Sequence, residues 1–355
     1  MIKCHHNFNY NVSVNFFSSI YNFIMKAIYY TETGPADKVL KFGDFNIPKI
    51  NNKNDIILKM NYSSVNPADT KKRSGWLGSS LDKEFIIPHS DGIGTVVEVG
   101  NSNNNNMIGK NFWVCGGSKD IQFGTCAEYF LTISNNIFEL SGNTSLLIAS
   151  CLGVPVATAY YSVFSDNNPL NQTFFISGGA GAVSQYAIQF AKLSGAKVIT
   201  TVSTKEKKEI CENIGADLIL NYKELTQKEI FKQVKDFTNS NFVDRCVEVD
   251  FNYNVNLIPQ ILKANGTLAT YSCSSNPYPI FPYYQYAPKG INIKIVQAYL
   301  QEQSILKKCG NFVNDLLINN RLIHPKITTY NIEDTFKAHE SQENSQLIGK
   351  NSIKI

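Results

Sequence analysis

The chain is poor in charge, lacks a long apolar run and has no paired-cysteine motif. Charged side chains make up 17% of its 355 residues, against the roughly one quarter usual in globular proteins. The formal net charge is only +4 and no basic stripe is visible, so the electrostatic footprint of a nucleic-acid binder is missing. No segment approaches the ~18 consecutive apolar residues that a membrane-spanning helix needs; a soluble protein with no membrane partner is expected. The eight cysteines (4, 115, 126, 151, 211, 246, 273 and 309) show no C-x-x-C spacing. A chain this long needs no disulfide framework, so they read as reduced thiols of a cytoplasmic protein. Asparagine fills much of the polar surface instead, and the run Asn103 to Asn106 reads as a surface turn.

What is present divides the chain in two, as its length leads one to expect. Residues 1–24 mix Asn, Ser, His and aromatics without a sustained period, which makes a poor secretory signal and suits a disordered extension. His5 and His6 fall inside it. Met25 heads a clean strand and is a candidate start codon. Residues 25–150 hold short strands, Ile56 to Tyr62, Gly94 to Val99, Phe112 to Cys115 and Ala127 to Thr132, separated by Gly, Pro, Asn and Asp clusters. This is the pattern of a small barrel-like β domain. From 151 to 296 the rhythm changes. Strand 173–177, helix 182–193, strand 197–201, helix 205–213, strand 218–221 and helix 226–237 follow one another, then strand 243–249, helix 254–262 and strands 267–271 and 291–297. That alternation specifies an α/β fold, a doubly wound parallel sheet with right-handed crossovers. The tail, 297–355, predicts helices 302–319 and 333–341 and a strand at 352–355. Too short to fold alone, it is expected to pack back on residues 25–150, making 151–296 an insertion.

Phe174 to Ser184 reads FFISGGAGAVS, an apolar strand running into a glycine-rich turn and a helix. Gly179-Ala180-Gly181-Ala182-Val183-Ser184 is a G-x-G-x-x-G dinucleotide fingerprint whose last glycine is a serine. The first glycine is expected to allow the tight turn and the second to let the backbone approach a pyrophosphate. The third position needs only a small side chain. The pyrophosphate would sit on the helix N-terminus, held by free N–H groups and the helix dipole.

One absence then becomes informative. About 20 residues past such a fingerprint an NAD enzyme places an acid on the ribose 2′-hydroxyl. Here the stretch is Thr200-Thr201-Val202-Ser203-Thr204-Lys205-Glu206-Lys207-Lys208, with no acid closing the strand. Ser203 and a lysine suit a 2′-phosphate through charge-assisted hydrogen bonds, which favours NADPH. The alternative is that the lysines form a solvated helix face.

Several phrases, in order from Met25 to the C-terminus, resemble the medium-chain dehydrogenase/reductase superfamily, and within it the zinc-free, zeta-crystallin-like quinone oxidoreductases. They are Ser64-Val65-Asn66-Pro67-Ala68-Asp69-Thr70, Pro88-His89-Ser90-Asp91-Gly92-Ile93-Gly94 and Val154-Pro155-Val156-Ala157-Thr158-Ala159-Tyr160. The fingerprint, Gly215-Ala216-Asp217-Leu218-Ile219-Leu220-Asn221-Tyr222, and Ala338-His339-Glu340 ahead of Gly349-Lys350 complete the set. The resemblance implies a Rossmann cofactor domain, residues 151–296, inserted in a GroES-like catalytic domain, residues 25–150 plus 297–355. Zinc-dependent members place a Cys on the early loop and a His in a Gly-His-Glu phrase; Asn66 and Ser90 stand there in this chain. Both are poor zinc ligands beside thiolate and imidazole, so no metal is expected.

Without a Lewis acid the expected chemistry is reduction of a good hydride acceptor, an NADPH-dependent quinone reductase, the cofactor supplying the hydride and the protein the alignment. The resemblance implies Asn66 and Thr158 beside the nicotinamide, and Gly179, Ala180, Gly181, Ala182 and Val183 at the pyrophosphate. It puts Ser203, Lys207 and Tyr222 around the 2′-phosphate and adenine ribose, and Tyr271, Ser272 and Ser274 on the nicotinamide side. Asn66 before a proline could simply shape a turn, and Tyr222 could be strand-end packing. Related enzymes often carry a tyrosine where this chain has Lys71, so no proton-donor role transfers there. Trp76, with Phe85 nearby, is either an apolar wall for a flat acceptor or a cap on the β domain. Tyr283 or Tyr284 could border the substrate. Two alternatives stand beside the quinone: reduction of 2-alkenals or enones, and a non-enzymatic NADPH-binding regulator or RNA-binding protein. The apolar strand Ile291 to Gln297 is expected at a sheet edge, where the family's homodimers, or homotetramers, join.

Overall fold

The computed structural model describes residues 24–115, 122–166, 168–344 and 347–355. The expected extension lies outside the described residues except at its last position, since Ile24 already belongs to the first strand. The strands are β1 (Ile24–Tyr29), β2 (Lys41–Asn46), β3 (Asp55–Val65), β4 (Asp91–Val99), β5 (Asn111–Val114), β6 (Tyr129–Ile133) and β7 (Ile137–Glu139). Then come β8 (Thr173–Ile176), β9 (Lys197–Val202), β10 (Leu218–Asn221), β11 (Val243–Glu248), β12 (Leu262–Thr270) and β13 (Asn292–Ile295), and finally β14 (Ile327–Asn331) and β15 (Lys350–Lys354). Among the described residues they form three sheets. β1 and β2 make a two-stranded ribbon. A seven-stranded sheet takes β14-β15-β3-β4-β5-β7 in order, with β6 also on β3. A six-stranded sheet runs β10-β9-β8-β11-β12-β13.

Every pair in the six-stranded sheet is parallel, and both its faces are covered, as a parallel sheet requires. In β8 the side-chain alternation sends Phe174 and Ile176 into one core cluster and Phe175 into the opposite one. The first cluster continues through the helix Gly153–Phe164 to Ile93, Trp113 and Phe138 of the other sheet, so the two halves share one apolar seam. The tail closes the first half: β15 pairs antiparallel with β3, and on the helix Gln303–Ile318 Asn314 accepts from the Trp113 indole at 3.1 Å. The cofactor-type sheet is thus a Rossmann unit inserted into a GroES-like one.

Three local expectations change. The helix expected at 254–262 is two short helices, Phe251–Asn254 and Ile258–Ile261, and β12 already begins at Leu262. Pro259 in its second turn lacks the N–H a longer helix would use. β14 was not expected from sequence; its Thr-rich, half-exposed residues pair with β15. The asparagine run is a 3₁₀ helix, Ser102–Met107. No helix among the described residues is long and apolar enough to cross a membrane.

Candidate active site

At the carboxyl end of β8 the chain turns through Gly178, whose φ of +61° favours glycine. The expectation placed the tight turn at Gly179; the left-handed residue is its predecessor. Gly179 is required for space. A Cβ there would lie 2.2 Å from the Thr200 hydroxyl and 2.7 Å from Cys211 Sγ, and its N–H already donates to Thr201 O at 2.9 Å. The helix Ala182–Leu193 then opens at Gly181 with no side-chain cap, leaving first-turn N–H groups available to an anion. Ser184, in place of the third glycine, is fully buried and donates to Ser177 O at 2.9 Å, while lying 3.1 Å from the Tyr271 hydroxyl. It ties helix to strand. Gly179, Ala180, Gly181, Ala182 and Val183 therefore line one turn.

A second group of candidate residues begins where β9 stops. Thr204 caps the helix Lys205–Asn213 by accepting from Lys207 N at 3.2 Å. The Lys207 ammonium folds back to Ser203 Oγ at 3.2 Å and is partly buried, whereas Lys205 and Lys208 are exposed. A solvated face describes those two lysines and not Lys207. Tyr222 is fixed beside them by its N–H to Val202 O at 3.0 Å, and its ring meets Tyr253 edge-on at 5.6 Å. Ser203, Lys207 and Tyr222 share one corner.

Beyond the end of β12 the Ser272 and Ser274 hydroxyls are 2.8 Å apart. Lys71 reaches across from the other half to donate to Ser274 Oγ at 2.7 Å, with its ammonium 4.3 Å from the centre of the Trp76 ring. Trp76 and Phe85 separate: Phe85 packs on Phe45 and Phe123. Tyr283 and Tyr284 stack edge-on with each other and are 61% and 85% exposed, on the surface rather than against these serines.

The deepest part is polar and buried. Asn66 precedes the helix Pro67–Ser74, whose proline occupies the first position. Its backbone N–H donates to Asp69 at 2.7 Å, its side-chain amide donates to Asp91 at 2.8 Å, and its amide oxygen accepts from the buried Lys350 ammonium at 2.6 Å. Asp91 accepts in turn from Val154 N at 2.8 Å, at the start of the helix bearing Thr158 one turn on. Burial pushes the Asp69 carboxyl up to about 7 and raises Asp91 too. Below them, His89 and His339 meet Nε2 to Nε2 at 2.9 Å, and His89 Nδ1 contacts Ser63 at 2.8 Å. Burial lowers both imidazoles, His339 to about 3. His89 adopts φ +78°, an uncommon backbone for a non-glycine residue, and this bend delivers Ser90 and Asp91 to the site.

Two family models match the chain: an alcohol dehydrogenase GroES-like domain over residues 52–160 and a zinc-binding dehydrogenase domain over residues 182–308. The chain belongs to the medium-chain dehydrogenase/reductase superfamily. It is 28% identical over 319 residues to a zinc-type alcohol dehydrogenase-like protein of Staphylococcus aureus, covering 85% of this chain and 91% of that one. It is 28% identical over 219 residues to 2-methylene-furan-3-one reductase of Solanum lycopersicum, covering 60% and 55%. The solved quinone oxidoreductase of Escherichia coli, complexed with NADPH, superposes with a TM-score of 0.79 at 21% identity, covering 93% of this chain and all of that one.

Zinc is implied by part of this superfamily, and the residues here do not fit it. The place is filled by an amide and an ammonium: Asn66 spends its oxygen on Lys350, and Asp91 spends both oxygens on Asn66 and Val154. The nearest imidazoles spend their Nε2 atoms on each other. Among the described residues no cluster of three or more His, Cys, Asp or Glu side chains is arranged to hold a metal. Sequence reasoning missed Lys350 and Glu248. Glu248, fully buried at the end of β11, accepts from Ser177 Oγ at 2.9 Å and Asn254 at 2.9 Å, and burial pushes it up to about 7. Its one signal was a carboxylate closing β11, a strand that already carries Asp244 and Arg245.

Proposed function

We propose that this medium-chain dehydrogenase/reductase is an NADPH-dependent, zinc-independent quinone reductase. The observation that carries the reading is the Lys350–Asn66–Asp91 cluster, a resident cation and carboxylate occupying the position a catalytic metal would need. With that position filled, the acceptor must itself be electron-poor, and a quinone is. Bound NADPH would supply the hydride, and everything else falls to the chain. Gly179, Ala180, Gly181, Ala182 and Val183 take the pyrophosphate on backbone N–H groups. Lys207 and Ser203 hold the 2′-phosphate, with Tyr222 beside the ribose. Tyr271, Ser272 and Ser274 wall the nicotinamide side, and Asn66 and Thr158 orient the ring. The Escherichia coli structure bound to NADPH supports this cofactor.

A second reading is reduction of enones, supported by the tomato reductase. It needs a proton delivered to the α-carbon, which a hydroquinone does not. Following NADPH oxidation against a panel of quinones and enones, with a chelator present, separates the two. Turnover of quinones that survives chelation is expected. No turnover with either class, or stoichiometric tetrahedral zinc in the protein, sinks the reading. We also propose a homodimer through the open edge of β13, where Ile293 and Ile295 are 41% and 76% exposed; light scattering at the monomer mass would remove it.

A further inference from the structure

Lys71 stands in the last turns of the helix Pro67–Ser74. Gly75 ends that helix at φ +73°, a left-handed conformation that favours glycine. The reversal brings Trp76 back beside Lys71, whose ammonium is 4.3 Å from the ring centre. The same ammonium donates to Ser274 Oγ at 2.7 Å. Ser274 follows β12, and its loop is pinned to the residues after β11. Phe251 N donates to Ser272 O at 3.0 Å, and Ser275 donates to the Asp250 carboxylate through its N at 3.1 Å and its Oγ at 2.9 Å. Side chains of both halves therefore meet beyond the carboxyl ends of β11 and β12, the end at which open α/β sheets bind ligands. Lys71 is half-buried yet makes no ion pair among the described residues, and Asp250 already has both oxygens on Ser275. An ammonium carries three donors, and Ser274 takes one. Trp76 is 37% exposed and Ser274 is exposed as well, so a flat ring, a cation and a hydroxyl stand side by side within reach of solvent.

We propose that Lys71, Trp76 and Ser274 form an acceptor subsite that selects a flat, electron-poor ring carrying an anionic substituent, a carboxylate or a sulfonate. The inference rests on the quinone-reductase reading and names the class of quinone. The exposed side of the indole takes the ring by stacking. The ammonium pairs with the anion through a charge-assisted hydrogen bond, which is stronger than a neutral donor can offer. Partial desolvation already holds Lys71 below the ordinary lysine range, and a bound anion would supply the counter-charge that the fold does not. Lys71 is here a specificity-determining residue: it recognises the acceptor and gives up no proton.

The test compares a naphthoquinone sulfonate with its neutral parent naphthoquinone in the wild type, Lys71→Met and Lys71→Arg. Wild-type kcat/KM is expected to favour the sulfonate. That ratio is expected to fall about tenfold in Lys71→Met, mainly through KM, and to return in Lys71→Arg. Raising the salt to about 0.5 M is expected to shrink the wild-type ratio. A second arm needs no turnover: naphthalenesulfonate and the neutral naphthalenesulfonamide are titrated calorimetrically into the complex with oxidised cofactor. The wild type is expected to bind the anion about tenfold more tightly than the amide, and Lys71→Met to bind the two alike. Trp76→Leu is expected to weaken both. An equal loss for both quinones with a lower melting temperature overturns the proposal, since it assigns Lys71 to joining the halves. So does a ratio that neither substitution nor salt moves, or a wild type that does not bind naphthalenesulfonate. If the wild type reduces no quinone, the function reading fails by itself, and the titration still decides Lys71.

Discussion

The two halves of the molecule build their parts of the site from different materials. The cofactor half uses backbone: a left-handed Gly178, a Cβ-free Gly179 and an uncapped helix start, all within one turn of a rigid parallel sheet. The catalytic half uses buried side chains drawn from β3, β4 and β15, with Lys350 and Asn66 separated by 284 positions. The first arrangement tolerates changes of side chain but not of shape. The second tolerates neither loss of charge nor loss of a partner, because each buried charge is balanced only by the others.

That contrast can be broken by experiment. The largest expected effect is Lys350→Met, which leaves Asp91 and Asn66 without their cation. A loss of about 3–5 kcal/mol of stability should appear as a much lower urea midpoint; a wild-type midpoint would show that charge does not hold this half together. Next is Gly179→Val. Overpacking against Thr200 and Cys211 is expected to cost about 1–3 kcal/mol and to abolish dinucleotide binding in a fluorescence titration, so retained binding would move the pyrophosphate elsewhere. Lys207→Glu should then erase or reverse a preference for NADPH over NADH, worth about 1.5–3 kcal/mol, with the fold untouched. An unchanged preference removes Lys207 from the phosphate corner.

The smallest effect concerns pH. His339 is lowered from 6.5 to about 3 by burial, so the unfolded chain binds its proton first as pH falls. Its contribution is intact above 6.5 and is lost between there and about 3, at up to ~1.4 kcal/mol per pH unit. Asp69, raised from 3.8 to about 7, acts in the opposite sense, its contribution fading as pH rises through that window. The total slope is therefore ambiguous, but the difference between wild type and His339→Gln is not: the variant's stability should fall less on acidification to pH 5. Parallel curves would mean that the imidazole pair accepts a proton in the folded state.

How much could be read in advance follows the same division. The glycine turn, the strand before it and the missing acid after β9 are each short runs of sequence, and local chemistry exposed them. Even there the positive φ fell one residue early, because two adjacent glycines satisfy the same pattern. Asn66 was visible from its phrase, yet its dual part, backbone before a helix and side chain in an ionic cluster, depends on Asp91 and Lys350 arriving from elsewhere. His89 was visible only as part of a family phrase, since nothing local announces that His339 lies on it. Glu248 ends a strand that already carries Asp244 and Arg245, and only burial distinguishes it from an ordinary strand-end polar residue. Pro259 should have shortened the expected helix, and that signal was available.

The position of Lys350 on β15 has a temporal meaning. During synthesis from the N-terminus, Asn66 and Asp91 emerge long before their counter-cation, and the whole wound sheet is made in between. The buried ionic cluster of the other half therefore stays without its ammonium until the closing strand is made. Any chain cut short of β15 would keep Asn66 and Asp91 but lose the charge that balances them.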